Sequence, residues 1–265
     1  MKLICHSLFD HSSAEPFEKR SYLRGFYFNL RMNLMLMPDW RTHLEVDEAT
    51  YNEYSVLFNW LKENANLNLQ VNPNDTQLCR MMLWRLKPIF LQDVSHVLCR
   101  DTDSLTTYRE ALVTQAWLES GKKCCALNDN RAHSGMMGGM VGFDTAWIKA
   151  CMEVNSWDQL VSGWDLSQRG SDQHLLNQKF LPRIKDDLYF AGSYTSGIKI
   201  PDAYSQEPLP QVDPKLWESN LCISFIGAAG FNEFETIRFF KRFDIENWKW
   251  AAIENQYPKL FHWRA

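Results

Sequence analysis

The chain reads as α/β, with a mostly parallel central sheet flanked by helices, and three observations predict this. Short apolar runs suited to strands alternate with segments whose apolar residues recur at helical spacing, the pattern of repeated β-α crossovers. Pro38, Pro88 and Gly121 fall where the helical patterns end. Asp101 and Asp103 follow directly on the apolar run at residues 94–99. Paired acids therefore stand at the carboxyl end of a buried strand, the place where open α/β sheets bind ligands.

Residues 2–9 form the first strand, followed by a loop containing Pro16. From 21 to 37, Leu23, Phe26, Tyr27, Leu30, Leu34 and Met37 trace one helical face, which Pro38 ends. Residues 40–46 alternate as a second strand; Tyr54, Leu57, Phe58 and Leu61 define another helix, and residues 67–71 a third strand. Asn74 or Asp75 is placed to cap the next helix, whose face is Leu78, Met81, Met82 and Leu86 and which Pro88 stops. The strand at 94–99 then delivers the two acids.

Beyond them, residues 107–120 form a helix with Leu112, Val113, Ala116 and Trp117 inward and Gly121 as its stop; residues 123–127 are a strand. Residues 128–142 read as a loop whose glycines permit close backbone approach, while Asp129, Arg131 and His133 supply polar groups. Gly170-Ser171-Asp172-Gln173 opens a helix with Leu175, Leu176 and Phe180 inward, so Asp172 and Gln173 sit in its first turn and Ser171 or Asp172 is its cap. Residues 201–214 are a proline-rich surface loop, and the chain shows no internal repeat.

With 265 residues, 45% of them hydrophobic, the chain is long enough for one large core and is expected to be one domain, 1–265. Its 28 Lys and Arg against 32 Asp and Glu give a net charge of −4 without a long basic run, which speaks against nucleic acid as a partner. The first residues have too short an apolar core for a signal peptide, and no stretch approaches the roughly 20 apolar residues of a transmembrane segment, so the expected location is cytoplasmic. Seven cysteines without a C-x-x-C pair point to reduced, mostly buried thiols. Eleven Trp and sixteen Phe exceed the needs of such a core; Trp147, Trp157 and Trp164 are placed either to pack on the sheet or to stack on a sugar.

Read in order, Cys99-Arg100-Asp101-Thr102-Asp103-Ser104, Arg109-Glu110, residues 117–121, Asn128-Asp129, His133, residues 138–142 and Gly170-Ser171-Asp172-Gln173 form a signature. It resembles that of GT-A fold glycosyltransferases with an Asp-x-Asp motif, and more narrowly one group among them, over residues 75–180. Pro38-Asp39-Trp40 also resembles that group's turn, and Arg80 matches an arginine of its preceding helix.

The resemblance implies a nucleotide sugar, with UDP or GDP, as donor and a glycan or other hydroxyl compound as acceptor. It implies that Asp101 and Asp103 hold Mn²⁺ or Mg²⁺ against the donor diphosphate, Asp103 directly and Asp101 through metal, ribose or both. Arg100 then neutralises the acids or reaches donor phosphate, or is instead a structural salt-bridge partner, and Arg80, Ser104, Gly138, Gly139, Gln173 and His133 complete the donor-binding set. Asp172 and Asp129 become the catalytic candidates, either as general base in an inverting reaction or as stabilisers of positive charge in a retaining one. Residues 1–130 would bind the donor and residues 131–265 the acceptor. The family usually takes a further metal ligand from a later His or Asp; residues 221–230 carry no histidine, so either water and phosphate complete the shell or His133 substitutes, a loop histidine that equally fits an acceptor contact or a plain hydrogen bond.

Two other readings compete. Asp101-Thr102-Asp103-Ser104 also resembles the nucleophile motif of haloacid-dehalogenase-type phosphohydrolases, with Asp186-Asp187 as their Mg²⁺-holding pair, although that motif normally occupies the first strand of its domain. A degenerate transferase that only binds glycans is the other, and the presence of both Asp101 and Asp103 argues against it.

Overall fold

A computed structural model describes residues 1–9, 16–129, 135–168, 170–192, 206–208, 233–244 and 247–261. Arg131, His133, residues 221–230 and most of the loop at 201–214 lie outside the described residues. The strands are β1 (Lys2–Leu8), β2 (Trp40–Asp47), β3 (Asn68–Asn72), β4 (His96–Arg100), β5 (Cys124–Asn128), β6 (Met140–Asp144), β7 (Leu188–Gly192) and β8 (Gln206–Pro208). They form one sheet in the order β3-β2-β1-β4-β6-β5-β7-β8. All neighbouring pairs are parallel except those of β6, which runs antiparallel to β4 and β5.

The helices that cover it are α1 (Pro16–Leu36), α2 (Glu48–Glu53), α3 (Ser55–Asn64), α4 (Leu78–Met82), α5 (Tyr108–Ser120), α6 (Thr145–Met152), α7 (Trp157–Val161), α8 (Ser171–Leu175), α9 (Leu181–Ile184), α10 (Glu233–Phe243) and α11 (Asn247–Glu254). The two-residue period of the strands sorts the core into layers. Leu3, Cys5, Val97 and Cys99 face α6 and the segment from α7 to α9, whereas Ile4 and Leu98 face the layer of α5, with Val113 and Trp117. A third cluster joins α1 and α3 to α10 and α11. The expected mostly parallel α/β sheet flanked by helices is thus the observed architecture, and none of the helices described is long and apolar enough to cross a membrane.

Several expected boundaries shift. The first helix begins at Pro16, where a missing N–H costs nothing. Asn74 and Asp75 do not cap α4: Asn74 accepts from the Ala49 N–H, Asp75 from that of Gln77, and Gln77 precedes α4 without a side-chain cap. Pro88 does not end its helix; α4 passes at Leu83 into a 3-10 stretch, Leu83–Phe90, that contains the proline. Residues 140–142 are strand, not loop, and Gly142 is there for packing, since a Cβ on it would come within 2.8 Å of Trp117 and Cys125. The cap of α8 is Gly170, in the left-handed region at φ 87°, in place of Ser171 or Asp172. Thr107 and Gly121 bound α5 as read: the Thr107 hydroxyl accepts from the Glu110 N–H, and Gly121 takes φ 74°. Five of the six described cysteines are buried and all six are free thiols.

Candidate functional site

The chain runs from β1 outward through β2 to β3, then returns to place β4 on the other side of β1. That reversal makes the carboxyl ends of β1 and β4 the switch point at which a crevice opens in a doubly wound sheet. Asp101 is the first residue beyond β4. Because β6 is antiparallel and pairs Met140 with Arg100, the two residues preceding it, Gly138 and Gly139, arrive at the same edge. A Cβ on Gly139 would overlap the Asp101 carboxylate, and one on Gly138 would lie 2.9 Å from Asp172 Oδ2. The glycines here make room for the acids.

Arg85 ties the acids together. The 3-10 stretch that carries it is fastened to β1 and α4: its N–H donates to Ser7 Oγ at 2.9 Å, and its Nε to the Met82 carbonyl at 2.7 Å. One terminal nitrogen then forms an ion pair with Asp101, and the other lies 4.0 Å from Asp172 Oδ2. Burial opposes the Arg85 charge, but Asp101 and Asp172 outweigh it and raise its pKa. Burial likewise works to raise the Asp101 carboxyl, yet the Arg85 charge and hydrogen bond hold it below the ordinary range. Asp103 goes the other way, raised by burial and then by the neighbouring Asp101 charge.

Arg100 faces inward. One residue beyond Leu98 and Cys99, it continues the Leu98 side of β4 toward α5, where its Nε meets Glu110 Oε1 at 2.7 Å with both side chains fully buried. Its Nη1 donates to the Gly139 carbonyl at 2.9 Å, and its Nη2 lies 3.5 Å from Ser104 Oγ. Its ion pair is thus with Glu110 and not with the two aspartates, and it joins β4, β6 and α5 beneath the acidic loop. Ser104 is buried in that same network.

The remaining candidates sit apart from this cluster or beside it. Asp129, just past β5, has both oxygens engaged by the fork of Arg109, the second at 3.0 Å. Arg80 lies on α4, pairs with Asp75 at 3.3 Å and Asp158 at 3.7 Å, and places its guanidinium over Trp157. Gln173 is half-buried, and its carbonyl accepts from Asn177 Nδ2 at 2.7 Å. Asn177 also clasps the Met136 N–H and carbonyl at 2.8 and 2.9 Å, which binds the stretch leading to Gly138 onto a π-helical segment at Leu176–Phe180. Trp157 and Trp164 spend their ring N–H groups on the Leu83 and Ser171 carbonyls, as packing residues do.

Sequence reading missed Arg85, and nothing in its apolar surroundings could have marked it. It also missed His6, on β1, which is fully buried with its ring edge-on to that of Phe26. Burial, followed by the charges of Arg100 and Arg85, pushes its pKa down to about 3, so the ring is neutral. Its position between Cys5 and Ser7 in a strand gave no sign of this.

Among the described residues no group of three or more His, Cys, Asp or Glu forms a ready metal cage. What the site does offer is two hard carboxylate donors at one strand end, with Asp103 raised by the charge of Asp101. A dication relieves that repulsion, and Mg²⁺ in particular is content with one or two carboxylates when water and phosphate fill its other positions. The donor set fits such an ion.

An open α/β sheet with acids gathered at its switch point defines a class of ligand-binding domain. No family model matches the chain, and no curated protein matches it. Among solved structures it is similar to the 4-diphosphocytidyl-2C-methyl-D-erythritol synthase of Anaerococcus prevotii, at 14% identity over 76% of this chain and 90% of that one, with a TM-score of 0.47. It is also similar to the mannosyltransferase PcManGT of Pyrobaculum calidifontis, solved with GDP-Man and Mn²⁺, at 10% identity over 84% and 61% of the two chains and a TM-score of 0.44. TarS 1–349 of S. aureus is similar at 10% identity over 67% and 54%, with a TM-score of 0.43. The chain thus spans 61% and 54% of the length of these last two proteins. These likenesses concern the path of the chain alone.

Proposed function

We propose that the chain, as one domain over 1–265, is a metal-dependent glycosyltransferase that moves a sugar from a nucleoside-diphosphate sugar to a hydroxyl acceptor. The observation that carries the reading is the convergence of Asp101, Arg85, Asp172, Gly138 and Gly139 at the carboxyl ends of β1 and β4. A nucleoside diphosphate needs positive charge where its leaving oxygen develops, and Mn²⁺ or Mg²⁺ supplies it as a Lewis acid. Asp103 is the direct ligand in this account, because Asp101 already shares one oxygen with Arg85. The guanidinium of Arg85 lies between Asp101 and Asp172, and in this account Asp172 faces the reacting sugar. It deprotonates the acceptor hydroxyl if the reaction inverts, and stabilises oxocarbenium-like charge if it retains.

The phosphohydrolase reading needs a second acidic pair at the same place. Asp186 and Asp187 instead lie in the turn that leads into β7, where the Asp187 carbonyl accepts from the Lys123 N–H at the start of β5. That is the amino end of β7, at the opposite end of the strands from Asp101.

A panel of UDP- and GDP-sugars with Mn²⁺, scored by melting temperature and by donor hydrolysis, tests the proposal. A ligand at 100 times its dissociation constant stabilises the fold by about 2.7 kcal/mol, a shift easily read in a melt. No shift with any donor, together with hydrolysis of p-nitrophenyl phosphate in Mg²⁺, would reverse the reading.

A further inference from the structure

We propose that Asn29, on α1, is the positioning residue that fixes the backbone on both sides of Asp103 and so holds that carboxylate in place for a dication. The inference rests on the reading above, in which this loop binds the metal. Asn29 is fully buried. Its Nδ2 donates to the carbonyls of Thr102 at 3.3 Å and Ser104 at 3.0 Å, the residues on either side of Asp103. Its Oδ1 accepts from Thr106, both from the backbone N–H at 2.8 Å and from the hydroxyl at 3.2 Å.

The partners leave the amide one orientation, since two carbonyls accept only from an NH₂ group and a backbone N–H needs an oxygen. One side chain therefore makes four hydrogen bonds to a loop of five residues, and two of them bracket the proposed ligand. This matters because the loop carries two like charges. The charge of Asp101 works against that of Asp103, and a loop free to relax would swing the second carboxylate away. Asn29 clamps peptide groups and leaves the Asp103 side chain free. Arg100 secures the other flank through Ser104 Oγ and the Gly139 carbonyl.

Asn33 supplies an internal comparison. One turn further along α1 and equally buried, it donates to Thr42 Oγ1 on β2 at 3.1 Å. If Asn29 acted only on stability, its loss would resemble that of Asn33.

The experiment is Mn²⁺ binding to the full chain, followed by the electron paramagnetic resonance signal of the free ion, in the wild type and in Asn29→Ala, Asn29→Asp and Asn33→Ala, with hydrogen exchange at the Thr106 amide as a second readout. Both Asn29 variants are expected to bind Mn²⁺ at least about tenfold more weakly, the scale of one or two buried hydrogen bonds, and the Thr106 amide to exchange faster. Asn33→Ala is expected to stay within about twofold of the wild type despite a lower melting temperature. A folded Asn29 variant that binds like the wild type, or an Asn33 variant weakened as much, overturns the role. If neither Asn29 variant folds, Thr106→Val, which deletes only the side-chain bond, is read instead: a loss of about two- to threefold is expected, and an unchanged constant counts against it. A wild-type chain that leaves Mn²⁺ free sinks the metal reading itself, and this role with it.

Discussion

Asp103 and His6 show how differently two ionisable groups are used a few residues from the same strand ends. Asp103 is only partly covered and takes no part in the core. Its replacement by Ala should leave the melting temperature nearly unchanged and abolish Mn²⁺-dependent binding of UDP or GDP in calorimetry; unchanged nucleotide affinity would refute its assigned role. His6 acts on stability. In the unfolded chain its ring takes up a proton as pH falls through about 6.5, whereas in the fold that uptake waits until about 3. Between those values the unfolded state holds the extra proton, so stability is present above about pH 6.5 and is lost, by up to about 1.4 kcal/mol per pH unit, as pH drops toward 3. Denaturant titrations at pH 7 and 4.5 should show a smaller loss for His6→Asn than for the wild type. Equal losses would mean that His6 is not the group responsible.

At the scale of elements, β6 decides the site, because its reversed direction brings Gly138 and Gly139 to the acids. Two glycines on either side of its start should respond differently to the same substitution. Gly139→Ala pushes on Asp101 and should cost donor turnover at least about tenfold, through a displaced carboxylate. Gly142→Ala pushes on Trp117 and Cys125 and should cost about 1–3 kcal/mol of stability by overpacking, with Mn²⁺ binding retained. Melts and turnover of both variants check this; the reverse assignment of effects would contradict it. The sequence made α5 readable at both ends, since Thr107 and Gly121 are local signals. It hid β6, because three residues of a strand that contains a glycine, placed directly after a glycine pair, look like more of the same loop. Pro88 misled for a related reason: a 3-10 stretch accepts the ring that an α-helix would reject.

For the molecule as a whole, α1 is the member that links distant parts of the chain. Asn29 reaches the acidic loop, and two residues later Arg31 pairs with Asp244 at 2.8 Å and Glu254 at 3.1 Å, on and beside the C-terminal helices. The Arg31 guanidinium lies 3.9 Å from the Phe240 ring centre, and the Tyr27 hydroxyl donates to Glu254 at 2.8 Å. Arg31→Met would remove the Arg31 guanidinium from Glu254, which is 1% exposed. The expected loss is about 3–5 kcal/mol in urea denaturation; a loss under about 1 kcal/mol would show that the latch is not stabilising. Such pairings join residues more than 200 positions apart, so hydrophobic periodicity could place α1 but could not show what its polar residues hold. The candidate site follows the same rule. Asp101, Asp103 and Asp172 were legible because each stands at the start or end of an element, while Arg85 and Asn29 act across the fold and left no mark on their own segments.

The most direct measurement is the anomalous scattering of a crystal soaked with Mn²⁺ and UDP or GDP. The account predicts a manganese peak within coordination distance of Asp103, with the diphosphate on its far side and Asp101 still paired to Arg85. A nucleotide bound elsewhere, or a crevice in which both aspartates face only solvent, would contradict it.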